Sequence, residues 1–309
     1  MKILIIKKKF VVNILFIVFL IFLSSIVFYF TSVKFKTLQT IYPINISQDI
    51  KYDLNSDGKE DILQMIDGHN QVDFNIKFNN SDDYYLSKEI EDNILFTLNN
   101  HWLPKVFVHD ISRDNIPELI VQGSKNNKST CYIFNWNKQK FTNIYTTNKN
   151  IFGILDCKNT KTPQCYSLSS SEGLSSLNSF MIINNEILDT TKENLKVPSL
   201  DPAISFINLV EVPYELGDIP DIFTTSIDKS ELSLLWNLDK DKYSYAFQNA
   251  FFYDYEWNDS GQPSAIKWRL SFEKNNLKGS ETDKNELVLL LDLKKIDNTY
   301  KITSIQKPN

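Results

Sequence analysis

Asp53-Leu54-Asn55-Ser56-Asp57-Gly58-Lys59-Glu60-Asp61-Ile62 is the stretch whose chemistry can be read residue by residue. Oxygen-bearing side chains stand at loop positions one, three, five and nine, and Gly58 at six permits a sharp turn. Ca²⁺ takes roughly six to eight oxygens at about 2.3–2.6 Å. This spacing offers Asp53, Asn55, Asp57, the Lys59 backbone carbonyl and Asp61, with water to complete the shell. An EF-hand would close its loop with a bidentate glutamate at position twelve, where this chain has Gln64. Ile62-Leu63 and Met65-Ile66 read as a strand and not as an exiting helix. The stretch predicts a calcium loop between two strands.

Working outward, Asp67-Gly68-His69-Asn70 predicts a turn, and Val72, Phe74, Ile76 and Phe78 alternate as in a half-buried strand. A second copy of the loop runs from Val106 to Val121. Asp110, Ser112, Asp114 and Glu118 fall in the ligand slots, Ile116 takes the backbone-carbonyl slot, and Asn115 replaces the glycine. Asparagine tolerates the left-handed backbone better than most residues. Serine is a poorer ligand than an amide and Arg113 adds a positive charge, so the second loop is a weaker calcium candidate than the first. A third, eroded copy spans Gly153 to Gln164 and keeps Asp156 as its only acid. Cys157 and Cys165 bracket it, and a disulfide between them would hold the turn without an ion. Cys131 is then left over, and three buried free thiols are the alternative.

Tyr132–Trp136 turning into Phe141, and Phe180–Ile183 turning into Ile187-Leu188, read as hairpins. Loop, strand and hairpin recur at intervals of roughly 45–60 residues, as blade-like β repeats do. The pattern D-x-N-x-D-G-x-x-D followed by an apolar strand resembles the FG-GAP and VCBS repeat families. That resemblance implies calcium loops joining strands of β-propeller-like folds, as in integrin α chains and bacterial surface proteins. Two or three copies are too few to close a standard propeller. Either diverged blades follow or the β assembly is open and capped by something else.

Phe10 to Phe30 carries no charge and has the length of a membrane-spanning helix. Lys2, Lys7, Lys8 and Lys9 precede it, which predicts a cytoplasmic N-terminus of residues 1–9, a transmembrane helix over 10–30 and an extracytoplasmic body. No small-x-small cleavage site is convincing, so an uncleaved anchor is expected. A stalk is drawn over 31–45, the β-repeat region over 46–197 and a β-rich α+β domain over 198–309. In that last part Asp228 is placed to cap a helix whose Leu232, Leu235 and Trp236 share a face. Two hairpins follow, turning at 258–261 and 297–298. The final one faintly resembles the closing strands of cystatin-like or nuclear-transport-factor-like domains.

The chain has 38 acidic against 33 basic residues, and only Arg113 and Arg269 are arginine. An acidic surface without guanidinium clusters excludes nucleic-acid binding and suits cation sites. No G-x-S-x-G, H-E-x-x-H, C-x-x-C or P-loop occurs. His69, His101 and His109 are the only histidines, and His109 reads as a packing residue. The aromatic run from Tyr243 to Trp257, with Trp268, reads as core before it reads as a stacking platform for sugars or a peptide. The expectation is a mainly β, membrane-anchored, calcium-stabilised binding or adhesion module without catalytic residues, meeting an unidentified protein or glycan. The alternative is a cell-envelope hydrolase acting on polysaccharide or peptide with structural calcium.

Overall fold

Three β-hairpins with loops of equal length organise the chain. In the computed structural model their last strand pairs before the loop are Tyr52 with Asp61, His109 with Glu118 and Leu155 with Gln164. The third pair stands at the ends of the segment read as an eroded copy. The structure describes residues 49–78, 83–155, 162–212, 220–279 and 284–308, together with Val18, Phe19, Phe22 and Ser24. Met1–Thr40 and Ile41–Asn309 form separate compact units.

The first hairpin opens a sheet of β1 (Ile50–Tyr52), β2 (Asp61–Gly68), β3 (Gln71–Lys77) and β4 (Tyr84–Tyr85), with β5 (Phe96–Thr97) also on β3. The second opens a four-stranded meander of β6 (Lys105–His109), β7 (Glu118–Lys125), β8 (Lys128–Trp136) and β9 (Phe141–Thr147). The third opens the meander β10 (Ile151–Leu155), β11 (Gln164–Leu168), β12 (Asn178–Ile183) and β13 (Glu186–Asp189). Helices α1 (Leu200–Glu211) and α2 (Lys229–Trp236) follow. The chain then returns as β14 (Tyr243–Trp257), β15 (Pro263–Asn276), β16 (Asn285–Ile296) and β17 (Thr299–Gln306).

β14 lies parallel to β10, so β10–β17 make one eight-stranded sheet ordered β13-β12-β11-β10-β14-β15-β16-β17. The boundary drawn at 197/198 falls between two halves of this sheet. The molecule is mainly β, as expected, but no closed barrel or propeller forms among the described residues. The sheets stack in layers instead. Val106, Leu119, Val121, Tyr132 and Phe134 face the first sheet, while Phe107, Ile120, Cys131 and Ile133 face the third. That position between two layers explains why nearly every residue of β7 and β8 is buried. Antiparallel strands usually alternate buried and wet faces.

The far face of the third sheet is closed by helices. Leu200, Ala203, Phe206, Ile207 and Val210 recur at helical spacing along α1 and join Tyr166, Phe252 and Trp268 in one core. Pro202 is tolerated because first-turn N–H groups have no intrahelical acceptor. Asp228 caps α2 as predicted, accepting the Ser230 N–H at 2.7 Å. Of the face assigned to this helix, Leu235 is buried but Trp236 is 45 % exposed. The aromatic run is core, with Phe251, Phe252, Tyr253 and Trp268 all buried.

Two expectations meet the structure differently. Cys165 is a free thiol buried between the second and third sheets, which removes the proposed bridge to Cys157. Its register partner Ile154 shows why: both side chains take the core face of their strands. Cys157 and Asp156 lie outside the described residues. So does most of the span drawn over Phe10–Phe30, of which Val18, Phe19, Phe22 and Ser24 are helical. No helix among the described residues is long and apolar enough to cross a membrane.

Gly153 marks the seam between β10 and β14. A Cβ there would stand 2.3 Å from the Phe252 ring, itself stacked on Trp268 at 4.5 Å. Neither ring can retreat within a filled core, so Gly153→Ala is expected to destabilise the fold by about 1–3 kcal/mol. Urea unfolding checks this, and an unchanged midpoint would show the seam to be loosely packed.

Candidate metal centre

The first two hairpin loops share a conformation set by matched residues 57 positions apart, a separation read from the pairs Tyr52–Asp61 and His109–Glu118. The fourth loop position is left-handed in both, at Ser56 (φ 57°) and Arg113 (φ 64°). So is the sixth, at Gly58 (φ 86°) and Asn115 (φ 70°). Leu54 and Ile111, at the second position, are fully buried and anchor each loop in the core.

Three hydrogen bonds recur. Gly58 N–H donates to Asp53 Oδ2 at 2.9 Å, as Asn115 N–H does to Asp110 Oδ2 at 3.2 Å. Lys59 N–H donates to Asp57 Oδ1 and Ile116 N–H to Asp114 Oδ1, each at 2.8 Å. Leu54 N–H donates to Asp61 Oδ2 at 2.9 Å, and Ile111 N–H to Glu118 Oε2 at 2.6 Å. Asp57 N–H adds bonds to Asp53 Oδ1 and Asn55 Oδ1 in the first loop. The side chains at positions one, three, five and nine of the first loop, and at one, five and nine of the second, thus accept from their own loop backbone.

The loops differ at position nine. Asp61 is fully buried, and its Oδ1 has no hydrogen-bond partner. Burial raises its carboxyl pKa, and the charges of Asp57 and Asp53 raise it further. A buried acceptor without a donor is costly, and a cation is one way to satisfy it. Glu118 is also fully buried and its pKa is raised by burial. Its oxygens, however, are both engaged: Oε2 by the N–H groups of Ile111 and Ser112, Oε1 by Asn135 Nδ2 at 3.3 Å. In this loop the unpartnered buried oxygens are Asp110 Oδ1 and Ser112 Oγ.

The donors of the first loop fit Ca²⁺ in kind: three carboxylates, the Asn55 amide oxygen and the Lys59 carbonyl. Among the described residues no three His, Cys, Asp or Glu side chains converge as a finished cage. The amide and the carbonyl would therefore have to share the coordination. In the second loop Asp110, Asp114 and the Ile116 carbonyl keep the pattern, while Ser112 and the committed Glu118 weaken it.

His109, beside Asp110, is held down to about 4 by burial and by the Arg113 charge. It is neutral near pH 7 and pairs with Glu118 across the hairpin, which fits packing. Sequence reasoning missed Asn135 and Ser56. Asn135 bridges Glu118 to Asn185 Oδ1 in the β12–β13 turn, and Ser56 donates to the Asn115 carbonyl. Neither contact has a local sequence signal.

The Glu118 shift has a pH consequence. Its folded pKa lies above its ordinary 4.5, so the folded state binds the proton more tightly than the unfolded chain and stability rises as pH falls through that interval. In chelator, wild type should gain on Glu118→Gln as pH is lowered from 7 toward 4.5. Melting curves across that range check it, and a difference independent of pH would contradict it.

These features define a mainly β chain whose stacked sheets carry paired acidic hairpin loops at one end. No family model, curated protein or solved structure matches the chain.

Proposed function

We propose that this is a membrane-anchored, extracytoplasmic β-repeat protein of the FG-GAP/VCBS type. It uses calcium to fix hairpin loops that serve a binding or adhesion surface. The observation that carries the reading is the fully buried Asp61, whose idle Oδ1 stands in a loop that also holds Asp53, Asn55 and Asp57.

In this reading the ion neutralises carboxylates that otherwise repel one another and holds β1 and β2 in register. Backbone N–H groups orient Asp53, Asn55 and Asp57, and Leu54 N–H orients Asp61, before any ion arrives. The antiparallel order places the β1–β2, β6–β7, β8–β9, β10–β11 and β12–β13 connections at the same end of the stack. β14, parallel to β10, brings the β14–β15 turn there too. Recognition of a protein or glycan is assigned to this loop-bearing end.

The apolar run Phe10–Phe30 and the lysines before it supply the anchor and its orientation. The hydrolase alternative would use the groove of about 760 Å³ beside Tyr132, whose acids are Glu91 and Asp92, the latter held by Lys125 at 2.7 Å.

Topology can be tested with Ser260→Cys, an exposed turn position, on a Cys157→Ser background. Cys131 and Cys165 are buried and will stay silent. A membrane-impermeant thiol reagent should label the variant on intact cells. Labelling only after lysis would overturn the orientation.

A further inference from the structure

The two acidic loops touch. Ser56 Oγ donates to the Asn115 carbonyl oxygen at 2.6 Å, across 59 residues of chain. Ser56 stands between the ligand positions Asn55 and Asp57. Asn115 is the residue whose N–H orients Asp110. One hydrogen bond therefore joins the hinge of the first loop to the segment that aims the leading aspartate of the second.

Each loop also keeps a buried carboxylate oxygen without a partner, Asp61 Oδ1 and Asp110 Oδ1. The first sheet stacks on the second through Leu54, Leu63, Val106 and Leu119, which fixes this adjacency in the core.

We infer that the two loops bind calcium as a coupled pair, the ion in the first raising the affinity of the second through the Ser56–Asn115 contact. This rests on the calcium reading above. An ion held by Asn55 and Asp57 restricts Ser56, and Ser56 then holds the Asn115 peptide in the conformation that presents Asp110. The second ion meets a loop already ordered, which is how a shared rigid segment produces positive cooperativity. Coupling between binding sites is reciprocal, so the second ion must tighten the first by the same factor.

The test is calorimetric titration of the full chain with calcium chloride, in wild type, Asp57→Ala, Asp114→Ala and Ser56→Ala. Wild type should take up two ions. Asp57→Ala should leave one site about fivefold or more weaker than its wild-type counterpart, and Asp114→Ala should weaken the remaining first site equally. Ser56→Ala should keep both ions and lose about fivefold in coupling, the scale of one hydrogen bond.

Amide exchange supplies a readout independent of affinity. In Asp114→Ala, calcium in the first loop should still slow exchange at Asn115 N–H, and Ser56→Ala added to it should abolish that effect. Calcium uptake with each loop indifferent to the other, or with Ser56→Ala matching wild type, overturns the coupling and leaves the calcium reading standing. A wild-type chain that takes up no calcium overturns both.

Discussion

Glu286→Ala is expected to lower the unfolding free energy by about 3–5 kcal/mol, because it strands two buried cations. Glu286 Oε2 receives Lys105 Nζ at 2.9 Å, and Oε1 receives Arg269 Nη2 at 3.3 Å and the Ser271 hydroxyl. The Lys105 and Arg269 side chains are only 13 % and 7 % exposed, so water cannot replace the lost carboxylate. Lys105 belongs to the second sheet and Glu286 to the third, which makes the cluster a tie between layers. Phe107 stacked on Phe251 at 3.8 Å is a second tie between them.

Burial alone would raise the Glu286 pKa, but Lys105 and Arg269 override it and hold the carboxyl below 4.5. Its contribution is therefore present above that pH and lost as pH falls through the lower, folded value. Denaturant unfolding of Glu286→Ala at pH 7 is the check. A loss under about 1 kcal/mol, the range of exposed pairs, would show the cluster to be solvated.

The second large effect is linkage to calcium. With free calcium at about one hundred times its dissociation constant, each occupied loop should add about 2.7 kcal/mol. At about 2–4 °C per kcal/mol for a chain of this size, that is a rise in Tm of about 5–10 °C per ion. Asp57→Ala should forfeit the share of the first loop and, in chelator, melt within a few degrees of wild type. A variant that responds to calcium as wild type does would place the site elsewhere. Scanning calorimetry with and without chelator decides this.

How much of this was legible in the sequence follows from how far apart the interacting residues lie. The loops at 53–61 and 110–118 could be read as turns because their hydrogen bonds act within nine positions. The hairpin turns were legible for the same reason: His69-Asn70, Asn184-Asn185 and Asp297-Asn298 all have positive φ, which asparagine and aspartate adopt at least cost. Asp228 announced its helix because a cap is a local bond.

The parallel pairing of Gly153 with Phe252 gave no signal, and neither did the Lys105–Glu286 contact across 181 residues. The first is a pairing of distant strands within one sheet, and the second depends on how sheets stack after they form. Cys165 is free, the alternative to the bridge, because the strand register aims it into the core. Trp236 misled because a large aromatic on a short helix looks like an anchor, yet Leu235 fills that place.

The central claim is that the first hairpin loop grips a calcium ion through the idle oxygen of Asp61. The most direct test is an equilibrium calcium titration of wild type against Asp61→Asn, which keeps the side-chain shape and removes the charge. The account predicts saturable binding in wild type and loss of the first-loop ion in the variant. Identical isotherms for the two proteins, or no saturable binding by wild type, would contradict it.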